Sequence, residues 1–215
     1  MSKWMQWDGT GRERYFLDQQ KDYILFMRQY ISHGGFSRSE TNQLIYNLKK
    51  SPTVPANQLH YKKQAIQRFA IDLSKILASL KVDTAVTWIP PSKCKTDPEY
   101  DDRLYQVIQR SCQIATSLNN ANEKTVITPV EFFSTVSTVT SLHFGGPRNP
   151  ELISQNWEYK SPDLSQYKLI LVVDDVLTTG ASMRAAFDQI ALHSDLPVAG
   201  IVWAFVIDDP DIESI

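Results

Sequence analysis

The sequence predicts an α/β protein, a parallel sheet flanked by helices and preceded by a helical N-terminal extension. Three observations carry this. From about residue 82 onward, short apolar runs alternate with segments of helical period. Two of those runs, Leu169 to Val173 and Val198 to Ile207, are apolar throughout and carry no charge, as expected of strands covered on both faces. Before residue 82, apolar residues recur at helical spacing instead. The expected division is residues 1–81 as the extension and 82–215 as the core.

Taken in order, Tyr23 to Ile31 is an apolar-rich run closed by Gly34 and Gly35, and it is read as helix. Ser37 with Glu40 matches a capping box opening a helix from Thr41 to Lys50. Pro52 and Pro55 punctuate the chain. Leu59, Ala65, Ile66, Phe69, Ala70, Leu73, Ile76 and Leu77 then mark one face of a long helix. Ala85 to Ile89 is strand-like and stops at Pro90 and Pro91. Leu104 to Ser117 reads as helix and Thr125 to Val130 as a short strand, whereas Ser134 to Gln166 shows turn residues and no period. Leu169 to Val173 is a buried strand, Ala181 to His193 a helix, and Val198 to Ile207 a last strand.

Composition excludes several classes. Among 215 residues, 22 Lys and Arg face 24 Asp and Glu, so no overall positive field grips nucleic acid. An apolar share of 42% is too high for a disordered chain. Cys94 and Cys112 are the two cysteines, too few for a disulfide framework, and point to a reducing compartment. No apolar run is long enough to span a bilayer, and the first residues lack the apolar segment of a signal peptide. The expectation is a cytoplasmic globular protein with no membrane partner. His33, His60 and His193 have no partner at metal-ligand spacing, so no zinc site is expected.

The most informative stretch follows Val173. Two adjacent carboxylates, Asp174 and Asp175, close an apolar strand, where they can accept hydrogen bonds from a vicinal diol. Thr178, Thr179, Gly180, Ala181 and Ser182 then combine three hydroxyls with a glycine that lets the backbone approach closely. They lead into a helix N-terminus, whose unpaired N–H groups and positive dipole end favour a phosphate. An acidic pair and a phosphate cradle on one strand-turn-helix describe a site for a ribose 5-phosphate.

The run from Ile170 to Ser182 resembles the signature by which type I phosphoribosyltransferases bind 5-phosphoribosyl-1-diphosphate (PRPP). The resemblance implies the type I phosphoribosyltransferase fold, with a five-stranded core and a variable hood that selects the acceptor. Only four core strands are evident, and the fifth is sought near Trp157 to Tyr159. It also implies that Asp174 and Asp175 hold the ribose hydroxyls and that Thr178 to Ser182 hold the 5-phosphate. By the same resemblance the loop after the first core strand grips diphosphate, with Ser92, Lys93 and Arg103 as its binding groups. Mg²⁺ is the implied cofactor, bound mainly through PRPP. The stretch from Ile89 to Arg103 looks closer to competence-associated and uncharacterised bacterial members than to purine salvage enzymes.

A mobile loop closing over the leaving group is expected between the second strand and the signature strand. There, Ser141 to Asn149 faintly resembles the corresponding loop of orotate phosphoribosyltransferases, without its lysines. His143 and Arg148 could neutralise charge on departing diphosphate, and Gly145 and Gly146 would supply hinges. The catalytic candidates are therefore Asp174, Asp175, His143 and Arg148. Lys49, Lys50, Lys62 and Lys63, near Tyr46 and Tyr61, are read as a solvated helix face. Trp4, Trp7, Tyr15 and Phe16 would pack the extension onto the core or stack on a base.

The expected activity is Mg²⁺-dependent transfer of a phosphoribosyl group from PRPP to a base or nucleotide-like acceptor, releasing diphosphate. Two alternatives stand beside it: a non-catalytic PRPP- or nucleotide-binding regulator, and a toxin-like effector of a bacterial defence system. A homodimer, and a protein or RNA partner docked on the N-terminal extension, complete the expected partners.

Overall fold

A computed structural model of the chain describes residues 3–9, 16–18, 20–118, 125–138 and 149–208. The described elements are β1 (Met5–Gln6), β2 (Tyr23–Ile31), α1 (Glu40–Leu48), α2 (Ala56–Leu77), β3 (Thr84–Trp88), α3 (Arg103–Leu118) and β4 (Ile127–Pro129). They continue with β5 (Phe133–Thr135), α4 (Pro150–Ser154), β6 (Trp157–Tyr159), β7 (Leu169–Leu177), α5 (Ala181–Ala191) and β8 (Val198–Ile207). The main sheet has the order β1-β2-β8-β7-β3-β4. From β2 to β4 its pairings are parallel, and β1 joins the edge antiparallel to β2. It is a mostly parallel sheet flanked by helices.

The expected fifth parallel strand is present, but not where it was sought. Tyr23–Ile31, expected to be helical, is a strand paired along its length with β8. Trp157–Tyr159 is also a strand, yet it pairs antiparallel with β5 in a separate two-stranded sheet. The misreading has a physical cause. Ile24, Met27 and Arg28 are the buried residues of β2, a spacing that mimics a helical face because the strand is covered on both sides. Its β-branched and aromatic residues, Tyr23, Ile24, Phe26, Tyr30 and Ile31, are the signal for a strand.

Two further boundaries move. α1 is capped by Ser39, whose hydroxyl accepts from the Asn42 N–H at 3.0 Å, so Ser37 is not the cap. Asn42 is buried and earns its place by pairing with the backbone of Ile31 through both ends of its amide, which ties α1 to β2. The segment from Ser134 to Gln166, read as having no period, holds most of β5, α4 and β6. These are elements of three to five residues, too short to show a period.

The sheet has a core on each face. One packs α2 and α3 on Val86, Trp88, Leu171, Val173 and Trp203. The other packs α5 on Ala85, Ile170, Val172 and Val202. At the centre of the first, Phe69 stacks on Trp203 with centroids 4.7 Å apart, both fully buried. Trp203 Nε1 donates to Asp72 Oδ2 at 3.1 Å, and Arg28 pairs with the same carboxylate. Truncating Phe69→Ala should therefore cost about 3–5 kcal/mol in urea unfolding. The exposed Leu192→Ala should stay within about 0.5 kcal/mol of the parent.

Candidate functional site

In the sheet, β3 and β7 are neighbours, but the helices that follow them lie on opposite faces. The chain turns away from β3 into α3 on the α2 side, and from β7 into α5 on the other. Such a divergence opens a crevice at the carboxyl ends of the two strands. A cavity of about 390 Å³ sits there. It is walled by the 88–92 loop, the start of α3, the end of β7, the loop before α5, α4 with the residues after it, and Lys49 at the end of α1.

Asp174 and Asp175 both line this cavity. Side chains alternate along a strand: Ile170 and Val172 lie in the core beneath α5, Leu171 and Val173 in the core beneath α2 and α3. Asp175 therefore continues toward α3, where it is buried in a cage of cations. Arg103 Nε and Nη2 donate to its Oδ2 at 3.0 and 2.7 Å, and Lys49 Nζ meets Oδ1 at 3.0 Å. Arg103 Nη1 is taken by Asp101 Oδ2 at 2.8 Å, which also accepts from Lys62 Nζ at 2.7 Å. Asp174 differs. Its Oδ1 accepts the Asp175 N–H at 2.7 Å, and among the described residues its other oxygen meets no donor.

These surroundings drive the two acids apart. Burial, then the neighbouring Asp175 charge, push Asp174 up to about 7. Burial works against the Asp175 carboxylate as well, but Lys49 and Arg103 outweigh it and hold that group well below the usual range. Arg103 is likewise buried, and its carboxylate neighbours keep its proton firmly bound.

After β7 the chain makes its turn at Gly180, whose φ of 76° is left-handed. A side chain there would also strike Leu17, since a Cβ would lie 2.8 Å from Leu17 Cδ1. Thr178 and Ser182 line the cavity. Thr179 turns inward to the loop: its hydroxyl accepts from the Ala181 N–H at 3.4 Å, and its carbonyl from the Phe16 N–H at 2.9 Å. Ala181 starts α5, and its N-cap, Gly180, has no side chain to cap the helix, so the long Thr179 bond is the side-chain contact given for its first N–H groups. Leu17 and Phe16 thus strap the N-terminal stretch onto the outside of the loop, and Arg184 on α5 reinforces the strap by pairing with Asp22 at 3.0 Å.

Of the diphosphate-loop residues, Ser92 and Arg103 line the cavity. Arg103 reaches it with its guanidinium already engaged. Lys93 does not line it; its amine lies 3.3 Å from Glu99 and 3.7 Å from Asp97. Pro91, next to Ser92, is held by a hydrogen bond from Thr135 Oγ1 to its carbonyl. His143 and Arg148, with Ser141, Gly145, Gly146 and Tyr15, lie outside the described residues. Trp7 is buried in the α5-side core, and Trp4 Nε1 donates to the Asp72 carbonyl. Phe16 is exposed, so Trp4, Trp7 and Phe16 are not the aromatic wall of the cavity. Trp88, Tyr105 and Trp157 form that wall.

The basic pairs correct a second expectation. Lys62 is no solvated side chain: it is 5% exposed, and its amine donates to Leu48 O, Lys50 O and Asp101. Lys49 faces the cavity. The signal was present in the sequence, because Lys62 falls on the same helical stripe as Ile66, Phe69 and Leu73. A charge on an apolar stripe is buried with partners.

No family model and no curated protein matches this chain. Solved structures with some likeness include phosphoribosyltransferases. A hypoxanthine phosphoribosyltransferase from Staphylococcus aureus, in its tetragonal crystal form, shares 13% identity at a TM-score of 0.35, over 82% of this chain and 79% of its own. A purine phosphoribosyltransferase from Pyrococcus horikoshii shares 12% at 0.35, over 69% and 93%.

The opposite shifts of the two acids give opposite stability effects. Asp174 keeps its proton in the folded chain up to about pH 7 but loses it near pH 4 when unfolded, so its contribution falls as pH rises between those values. Asp174→Asn should stabilise the protein by about 1–3 kcal/mol at pH 8, with the gain vanishing toward pH 4. Asp175 contributes stability above pH 4 that is lost as pH falls through its depressed folded value. Asp175→Asn should therefore cost about 3–5 kcal/mol at pH 7, since it breaks a buried ion pair. Urea titrations at pH 5 and pH 8 check both; equal effects of the two variants would contradict the assignment.

Proposed function

We propose that the chain is a phosphoribosyltransferase of the type I class, transferring a phosphoribosyl group from PRPP to a planar, base-like acceptor and releasing diphosphate. The observation that carries this is the convergence of four groups on one crevice: Asp174, Asp175, Thr178 and Ser182 all face the same cavity, with the N-terminus of α5 behind the last of them. Carboxylates and a phosphate cradle lining one cavity are what a ribose 5-phosphate requires. The resemblance of Ile170 to Ser182 to the PRPP signature supports the same reading.

In this reading the 5-phosphate sits on the N–H groups at the start of α5 and on the hydroxyls of Thr178 and Ser182. Asp174, whose second oxygen is open, accepts from the ribose diol. Breaking the bond between the anomeric carbon and diphosphate leaves an oxocarbenium-like sugar, as in glycosyl transfer generally. No protein nucleophile is required; orientation of the sugar and compensation of charge on the leaving group do the work. Trp88, Tyr105 and Trp157 offer aromatic faces to the acceptor.

Mg²⁺ belongs to this reading as a companion of the diphosphate. Among the described residues no group of three or more His, Cys, Asp or Glu side chains is arranged to hold a metal alone. One open carboxylate, Asp174, fits an ion that arrives already coordinated by diphosphate and keeps its waters. When bound, the ion would offset negative charge on the leaving group.

Calorimetry with PRPP and Mg²⁺ tests the reading. Saturable one-site binding is expected, weakened at least about tenfold in Asp174→Asn, or about 1.4 kcal/mol. Unchanged affinity in that variant, with its fold intact, would contradict the diol assignment. A panel of purine and pyrimidine bases should then include one that triggers diphosphate release. PRPP binding without release for any acceptor would remove the catalytic part and leave a sensor.

A further inference from the structure

If the cavity takes PRPP, as proposed above, some cation must meet the diphosphate, and of the expected ones among the described residues Arg103 is engaged and Lys93 lies outside the cavity. Two cationic side chains line the cavity among the described residues, Arg103 and Lys49. Arg103 is mostly buried and spends Nε, Nη1 and Nη2 on Asp175 and Asp101. Turning it toward a ligand would strip two buried carboxylates of their partner. Lys93 is outside the lining and faces Asp97 and Glu99.

Lys49 is less restricted, since it lines the cavity and turning it would leave Asp175 still paired with Arg103. Its side chain is 44% exposed, among the described residues it pairs with Asp175, and its four-carbon stem is flexible. Its backbone, by contrast, is fixed. Lys49 is the C-cap of α1, with its N–H on Ile45 O at 3.0 Å. The carbonyls on either side of it, Leu48 O and Lys50 O, both accept from the buried Lys62 amine, at 2.8 and 2.6 Å. The third bond of that amine goes to Asp101, the residue that orients Arg103. One buried ammonium on α2 therefore fixes the base of Lys49 and the partner of Arg103 together.

We infer that Lys49 is a binding residue for the diphosphate of the substrate, delivered into the crevice by the end of α1, and that Lys62 is its positioning residue. In the ligand-free chain Lys49 neutralises Asp175 Oδ1. On binding, a ribose hydroxyl takes that oxygen and Lys49 turns to the diphosphate, so the exchange leaves neither charge unpartnered. The N-terminal segment thereby supplies a ligand to the site as well as covering it. No bond is made or broken in this step.

The test compares PRPP with ribose 5-phosphate, which lacks the diphosphate, by calorimetry with Mg²⁺ on the full chain. Lys49→Met should weaken PRPP at least about tenfold, or about 1.4 kcal/mol, and leave ribose 5-phosphate within about twofold; Lys49→Arg should recover part of the loss. Lys62→Met should lower thermal stability equally in the parent and in Lys49→Met. It should weaken PRPP only in the parent, because positioning has no effect once the ligand is gone. Unchanged PRPP affinity in Lys49→Met, or equal weakening of both ligands, overturns this inference alone. A parent protein that binds neither ligand overturns the phosphoribosyl reading and this inference with it.

Discussion

A buried carboxylate with two cations on it organises this molecule. Asp175 lies on the central strand β7, yet the groups that neutralise it come from the end of α1 and the start of α3. Left alone, an ionised carboxylate at that depth would cost several kcal/mol. The fold can keep it only by bringing those two elements to the carboxyl edge of the sheet, and Lys62 on α2 ties them to each other through Asp101 and the α1 carbonyls. The crevice at the β3–β7 divergence is walled on one side by this cluster.

The cluster also explains why neighbouring aspartates have different characters. Alternation along β7 sends Asp175 into the cations and leaves Asp174 with one backbone partner. The first is a fixed charge that holds the wall. The second is pushed up by burial and by the Asp175 charge and has an open oxygen among the described residues, which suits a group meant to meet a ligand. Likewise the loop after β7 is shaped by its outside. Leu17 lies against Gly180 and the Phe16 N–H bonds the Thr179 carbonyl from beyond the cavity, so the turn is braced from its outer side.

What the sequence made legible were features with local causes. β8, α2, α3 and α5 follow from period and apolar content, and the turn from Asp174 to Ser182 from residue chemistry in consecutive positions. What it concealed depended on partners far along the chain. β2 looked helical because burial on both faces, with Arg28 buried against Asp72, broke the alternation of a strand. Lys49 and Lys62 looked like surface charges because their meaning lies in Asp175 and Asp101, more than thirty residues away. Arg103 was found, but its role could not be read until its guanidinium was seen between two carboxylates.

The central claim is that the turn opening α5 holds the phosphate of a phosphorylated sugar. Amide chemical shifts during a titration with ribose 5-phosphate test it most directly. The account predicts saturable shifts at Gly180, Ala181 and Ser182, with β1 undisturbed. Resonances of those three amides that stay still while the ligand is raised to saturating concentration, or that move only together with the whole protein, would contradict it.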